Sequence, residues 1–155
     1  MKLRTFASCV ALAVSAGAVN ADTSVEVPLS GTLPKECNIS AYLNGPFDNL
    51  DMASLSSQGA ESVTVNCNYG GSASVTFSSA NAGQMVSGTN QVPYKLIVSG
   101  SPYSSGVSLA TDQTWNGWPA VANAGQTRSL SVQLDSIATV AGAYSDTVTV
   151  SVAPN

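Results

Sequence analysis

The chain has no histidine among its 155 residues, and Lys, Arg, Asp and Glu together make up only 9% of it. Without histidine the common serine–histidine–acid triad cannot be built, and the commonest metal ligand is missing as well. Basic residues number five, and two of them, Lys2 and Arg4, lie at the very front. That leaves Lys35, Lys95 and Arg128 against nine acidic side chains. Binding a phosphate backbone requires clustered Lys and Arg, so nucleic acid is excluded as a partner. Lysine-based nucleophilic chemistry has equally little to draw on. Asp48 and Asp51 form a carboxylate pair of the kind that serves acid–base catalysis. Their setting, Pro46-Phe47-Asp48-Asn49-Leu50-Asp51, reads instead as a turn-rich loop. The acidic residues lack the spacing of a calcium loop. The expectation is no catalytic residue, no metal and no cofactor: not an enzyme.

Long apolar runs are also scarce. The one present, residues 6–19, is shorter than the roughly 20 residues a membrane-crossing helix needs. It follows Lys2 and Arg4 and ends at Val19-Asn20-Ala21, the pattern of a cleaved secretory signal. Residues 1–21 are therefore expected to be a signal peptide, with Ala18 as an earlier cleavage point. Too few apolar residues precede Cys9 for a lipoprotein signal. Cys9 leaves with the leader, so Cys37 and Cys67 remain as an even pair in an exported, oxidising setting, which predicts one disulfide. The rival reading is a reactive or metal-binding pair, for which further ligands are wanting. Closing a loop of about 30 residues is worth roughly 3–4 kcal/mol in the chain-entropy account.

What the chain does have is alternation with a period of two, and no segment with a convincing helical period. Strands are expected over residues 62–69, with Val63, Val65, Cys67 and Tyr69 on one face, and over 73–77, 94–98, 129–134 and 144–152. A strand near residues 37–43 would let Cys37 meet Cys67 across neighbouring strands. Gly70-Gly71 reads as a tight hairpin turn, and residues 102–126 as short strands with long loops. No repeat of 20–50 residues is visible, which argues against solenoids and propellers. Short strands with polar turns imply an all-β, immunoglobulin-like two-sheet sandwich. After the last expected strand only Ala153-Pro154-Asn155 remain, so the strand that would close such a sandwich has no sequence of its own.

At the other end, Val25, Val27, Leu29, Gly31 and Leu33 occupy every second position, with Glu26, Pro28, Ser30 and Thr32 between them. This is the pattern of a strand laid into an apolar groove. Pro28 lacks a backbone donor and disfavours a central strand. An ordinary first edge strand of the same domain is the alternative. Only Pro34, Lys35 and Glu36 separate Leu33 from Cys37, and a connector spanning at most roughly 14 Å makes a return across the sandwich to the last strand difficult. The last strand, with Val148, Val150 and Val152 behind it, would leave an unpaired edge, a hazard for an isolated monomer.

The stretch Val27-Pro28-Leu29-Ser30-Gly31-Thr32-Leu33, followed by Cys37-Asn38-Ile39, resembles the donor strand and first cysteine of pilin subunits assembled by the chaperone–usher pathway of Gram-negative bacteria. The ending Ala141-Gly142-Ala143-Tyr144-Ser145-Asp146-Thr147-Val148-Thr149-Val150 is similar to the last strand of pilins of the spore coat protein U type, the archaic branch. P and type 1 pilus subunits carry a tyrosine just before the carboxyl terminus, whereas this chain ends Val152-Ala153-Pro154-Asn155, which favours the archaic or another related branch. The resemblance implies an incomplete sandwich, residues 36–155, preceded by a donor extension, residues 22–35. It implies partners of three kinds: neighbouring pilins, a periplasmic chaperone and an outer-membrane usher. It also implies export through the periplasm to a surface fimbria, with a part in adhesion or biofilm formation. In that reading Val25, Val27, Leu29, Gly31 and Leu33 enter a neighbour, while Tyr144, Val148, Val150 and Val152 of the last strand border the groove that receives one. Tyr144 also suits a corner tyrosine whose hydroxyl reaches nearby backbone, or ordinary core packing. A self-contained secreted sandwich binding carbohydrate through Trp115 and Trp118, or a spore coat component, is the alternative; core or loop packing is the plainer role for these two tryptophans.

Overall fold

Nine strands and one short 3-10 segment organise the chain: β1 Cys37–Tyr42, the 3-10 turn Pro46–Asn49, β2 Gln58–Cys67, β3 Gly71–Ser79, β4 Gln84–Ser87, β5 Asn90–Val98, β6 Val107–Ser108, β7 Gln113–Ala120, β8 Gln126–Leu134 and β9 Val148–Pro154. They come from a computed structural model that describes residues 24–155; the signal peptide expected over residues 1–21 lies outside the described residues. Leu33–Asn155 forms one compact unit.

The strands divide into two sheets. One has the order β1-β2-β8-β5-β4, with β6 also on β5, and the other has the order β7-β3-β9. Every ladder is antiparallel. This is the arrangement of an immunoglobulin-type sandwich, whose first sheet carries its first, second, fifth and fourth strands and whose second sheet carries the third and sixth. The seventh strand of that plan would lie beside β9. Among the described residues, no strand occupies that position.

Alternation decides which side chains face inward. Val63, Val65 and Cys67 from β2, Ala73, Val75 and Phe77 from β3, and Val92, Tyr94, Leu96 and Val98 from β5 are all buried, meeting Trp118, Leu130, Val132 and Leu134 between the sheets. Cys37 stands opposite Cys67 in the β1–β2 ladder, and the two form a disulfide. Their end of the sandwich is called the disulfide pole below. β2 ends there, and so does β9, because Ala73 pairs with Pro154. The opposite pole holds the start of β2, the end of β3 and the start of β9.

Three expectations need correction. Gly70-Gly71 does not close a hairpin: β2 and β3 belong to different sheets, so the turn carries the chain from one sheet to the other. Gly71 supplies the φ of 123° that this crossing uses, and the Tyr69 hydroxyl donates to the Ser72 carbonyl. Residues 102–126 hold the eight-residue β7, longer than expected, because Trp115 and Trp118 extend the pairing with β3. The last strand does not begin at Tyr144 but at Val148. Upstream of it the Ser145 backbone exchanges hydrogen bonds with Val86 on β4, so the chain at Ser145 has a different neighbour.

Candidate functional site

Among the described residues, β1 pairs only with β2, and β9 only with β3, so each is the edge of its sheet. The two edges flank a groove of about 710 Å³. Ile39, Ala41 and Leu43 form one wall, Val148 and Val150 the other, and Val63, Leu96, Leu130 and Val132 lie at its floor. Phe47 and Leu50, from the 3-10 turn and its exit, complete the end away from the disulfide. These are side chains that a closed sandwich would cover. Leu43 on the rim is 71% exposed.

The 3-10 turn is held in place by sterics and one buried carboxylate. The Phe47 ring packs where Gly59 has no side chain; a Cβ there would stand 2.3 Å from Phe47 Cε1, and the Gly59 φ of 72° also favours glycine. Glu61, the next inward-facing position before Val63, is only 2% exposed and accepts a 2.8 Å hydrogen bond from the Asn44 backbone N–H. A buried carboxylate without a partner would be costly, so Glu61 ties the loop after β1 to β2.

Asp146 fixes the start of the other wall. Its Oδ2 accepts from the Tyr94 hydroxyl at 2.7 Å and from the Ser79 hydroxyl at 2.5 Å. Its Oδ1 accepts from the backbone N–H of Asn81 at 3.0 Å and of Thr147 at 2.7 Å. Burial pushes the Tyr94 phenol well above its usual range, and the hydrogen bond to the Asp146 carboxylate adds to the shift.

Val25, Val27, Leu29 and Leu33 carry no strand pairing and are 85%, 71%, 92% and 79% exposed. Gly31 has open space around it. Val148 and Val150 line the groove; Val152, half-buried on the same face of β9, lies beyond its lined part. Tyr144 is outside β9 and outside the groove lining. Its hydroxyl donates to the Val140 carbonyl at 2.9 Å, and its ring packs against the core.

A family model described as Spore Coat Protein U domain matches residues 22–151. The chain belongs to the spore coat protein U domain family. The match takes in both the alternating segment and most of β9, the two features through which the sequence resembles archaic pilins. A solved chain from the CsuC–CsuE chaperone–tip adhesion subunit pre-assembly complex of archaic chaperone–usher Csu pili of Acinetobacter baumannii aligns with 22% identity and a TM-score of 0.49. The alignment covers 78% of the present chain and 40% of the solved one. No curated protein matches.

In this spore coat protein U domain the two tryptophans are packing residues. Trp118 is fully buried and donates from its indole to the Gln126 carbonyl, and Trp115 stacks against it with ring centroids 5.3 Å apart. Trp115 is half-buried beneath the Arg128 guanidinium, so the pair presents no open aromatic platform for a sugar. Sequence reasoning passed over two residues. Glu61 carried a signal, since it shares the parity of Val63, Val65 and Cys67. Asp146 likewise shares the parity of Val148, Val150 and Val152, but its partners Ser79, Asn81 and Tyr94 are 52 or more positions away and could not be named from the sequence.

Proposed function

We infer that the protein is a structural pilus subunit whose groove between β1 and β9 receives the amino-terminal strand of another subunit. The observation that carries this is the groove itself: two facing sheet edges with inward apolar residues uncovered, at the position an immunoglobulin-type sandwich gives to its seventh strand. The matching surplus is the alternating segment of residues 25–33. Entering as a strand, it would pair its backbone with the free edge of β9 and set Val25, Val27, Leu29 and Leu33 toward the interior, each burial contributing about 1.5–3 kcal/mol. Gly31 would serve where the groove is shallow. Alternation fixes the register, because a slip of one residue would turn the apolar set to solvent.

Before assembly such a groove needs a temporary occupant, and a periplasmic chaperone is the partner this reading requires, with an outer-membrane usher where subunits are exchanged. The product is a surface fimbria, and adhesion or biofilm formation is the use to which such a fibre is put.

The test moves residues 22–33 to follow Asn155 through a short flexible linker. The rearranged chain is expected to be a monomer, markedly more resistant to denaturant, while the natural mature chain assembles into fibres or requires a chaperone to stay soluble. Two monomers of equal stability would refute the reading.

A further inference from the structure

The groove is apolar along its walls but acidic at one end. Asp48, Glu61 and Asp146 all line it, and the strand registers put them at the pole opposite the disulfide: Asp48 after β1, Glu61 near the start of β2, Asp146 just before β9. Two of the three are committed. Glu61 holds the Asn44 N–H, and Asp146 holds four donors. The Asp48 carboxylate is exposed and has no hydrogen bond or ion pair among the described residues.

Cations are few enough to be followed one by one. Lys95 pairs with Asp135 at 3.0 Å, and the Arg128 guanidinium lies 6.0 Å from the Trp115 ring centre. Lys35 remains. It is exposed at the disulfide pole, donating to the Asn155 main-chain oxygen and lying 4.6 Å from the centre of the Tyr69 ring. It is also two residues past Leu33, so it continues the parity of Val25, Val27, Leu29, Gly31 and Leu33.

Resting on the donor-strand reading, with the strand antiparallel to β9, we propose that Lys35 of the donating copy pairs with Asp48 at the acidic mouth of the accepting copy. β9 runs from the mouth to the disulfide pole. An antiparallel entrant therefore runs the other way, and its carboxyl-terminal end, followed within two residues by Lys35, arrives at the mouth. Two residues of extended chain cover only about 6–7 Å, so the ammonium is delivered there and not elsewhere. A parallel entrant would bring Lys35 to the disulfide pole, against the accepting copy's own Lys35. Every ladder in the body is antiparallel, and the charge placement selects the same sense. The pair then acts at two stages: it draws the segment toward the groove, and it penalises a shifted register that would leave the ammonium over apolar walls.

The experiment follows assembly of the mature chain, residues 22–155, refolded under oxidising conditions, by light scattering and electron microscopy. Lys35→Glu and Asp48→Lys are each expected to slow assembly roughly tenfold at low salt. The difference from wild type should shrink as salt rises from about 0.01 M to about 1 M, where the screening length falls from about 30 Å to about 3 Å. The decisive chain is Lys35→Glu/Asp48→Lys, in which the swapped charges should restore most of the rate. A structural role for Lys35 at Asn155 and Tyr69 would not be rescued by a change at Asp48. If wild type stays a soluble monomer without any chaperone, the donor-strand reading fails and this proposal with it. If wild type assembles but Lys35→Glu matches its rate, or the double variant stays as slow as the singles, the pairing is wrong and the donor-strand reading survives.

Discussion

Replacing Asp146 by alanine removes a single carboxylate and strands four donors. The phenol of Tyr94 is the most expensive of them, because the residue is only 1% exposed. A hydrogen bond to a charged acceptor is worth about 1.5–3 kcal/mol net, and an orphaned buried donor costs about 1–3 kcal/mol. The Ser79 hydroxyl and the N–H groups of Asn81 and Thr147 are nearer the surface and recover part of their loss from water. Asp146→Ala is therefore expected to destabilise the monomer by about 3–5 kcal/mol, a large share of the 5–15 kcal/mol typical of a domain. Tyr94→Phe keeps the ring and leaves Asp146 three other partners, so it should cost only about 1–1.5 kcal/mol. Once the hydroxyl is gone, Asp146→Ala no longer orphans it, and the double variant should fall short of the summed single effects by about 1–2 kcal/mol. Equilibrium urea unfolding of the four chains, monitored by tryptophan fluorescence, measures the cycle. A cost below about 1 kcal/mol for Asp146→Ala, or additivity within about 0.3 kcal/mol, would refute the network as the anchor of β9.

Two further outcomes follow from the same core. Cys37→Ser/Cys67→Ser opens a loop whose ends are 30 residues apart; it should lower unfolding stability by about 3–4 kcal/mol, and reduction of the natural chain should reproduce the loss in the same urea titration. The Tyr94 phenol has its pKa raised on folding, so its contribution is complete below the unfolded-state value near 10 and is lost as pH rises above it. Stability should fall with a slope steeper than that of Tyr94→Phe, by up to about 1.4 kcal/mol per pH unit. In a spectrophotometric titration of the folded protein, the difference between the natural chain and Tyr94→Phe should show a phenol still protonated above the ordinary tyrosine range; a difference that titrates at about 10 would contradict the burial.

The sandwich was legible because period-two alternation survives burial on one face. Val63-Thr64-Val65 and Leu130-Ser131-Val132 each state their inward side without help from the rest of the fold, and the cysteine pair set the neighbours of β1. Tertiary choices were not legible in the same way. Gly70-Gly71 has the composition of a hairpin turn, but whether two strands joined by a tight turn pair or part is decided by what else competes for their edges. Here β3 is taken by β7 and β9, and β2 by β1 and β8. The start of β9 was misplaced for a related reason: Tyr144 shares the parity of Val148, Val150 and Val152, with Asp146 as the one break between them, and the bonds between Ser145 and Val86 show that the first residues leave the sheet. The groove's apolar walls follow from the pattern. Its acidic end does not, since Asp48, Glu61 and Asp146 converge from the 3-10 turn, from β2 and from the segment before β9.

That convergence bears on the shape of the assembly. A groove that takes a segment from outside itself makes a heterologous contact, in which the donating and accepting surfaces differ, and such contacts yield rings when the rotation closes and open filaments when it does not. Between Leu33 and Cys37 only Pro34, Lys35 and Glu36 intervene, and Pro34 fixes its own φ while biasing Leu33 toward extended backbone. If the proposed antiparallel insertion holds, the donating body would follow beyond the acidic mouth, disulfide pole first, and successive subunits would lie nearly end to end. On that proposal the short connector, the proline within it and the lysine after it would work toward one result, a junction favouring an open filament over a closed ring.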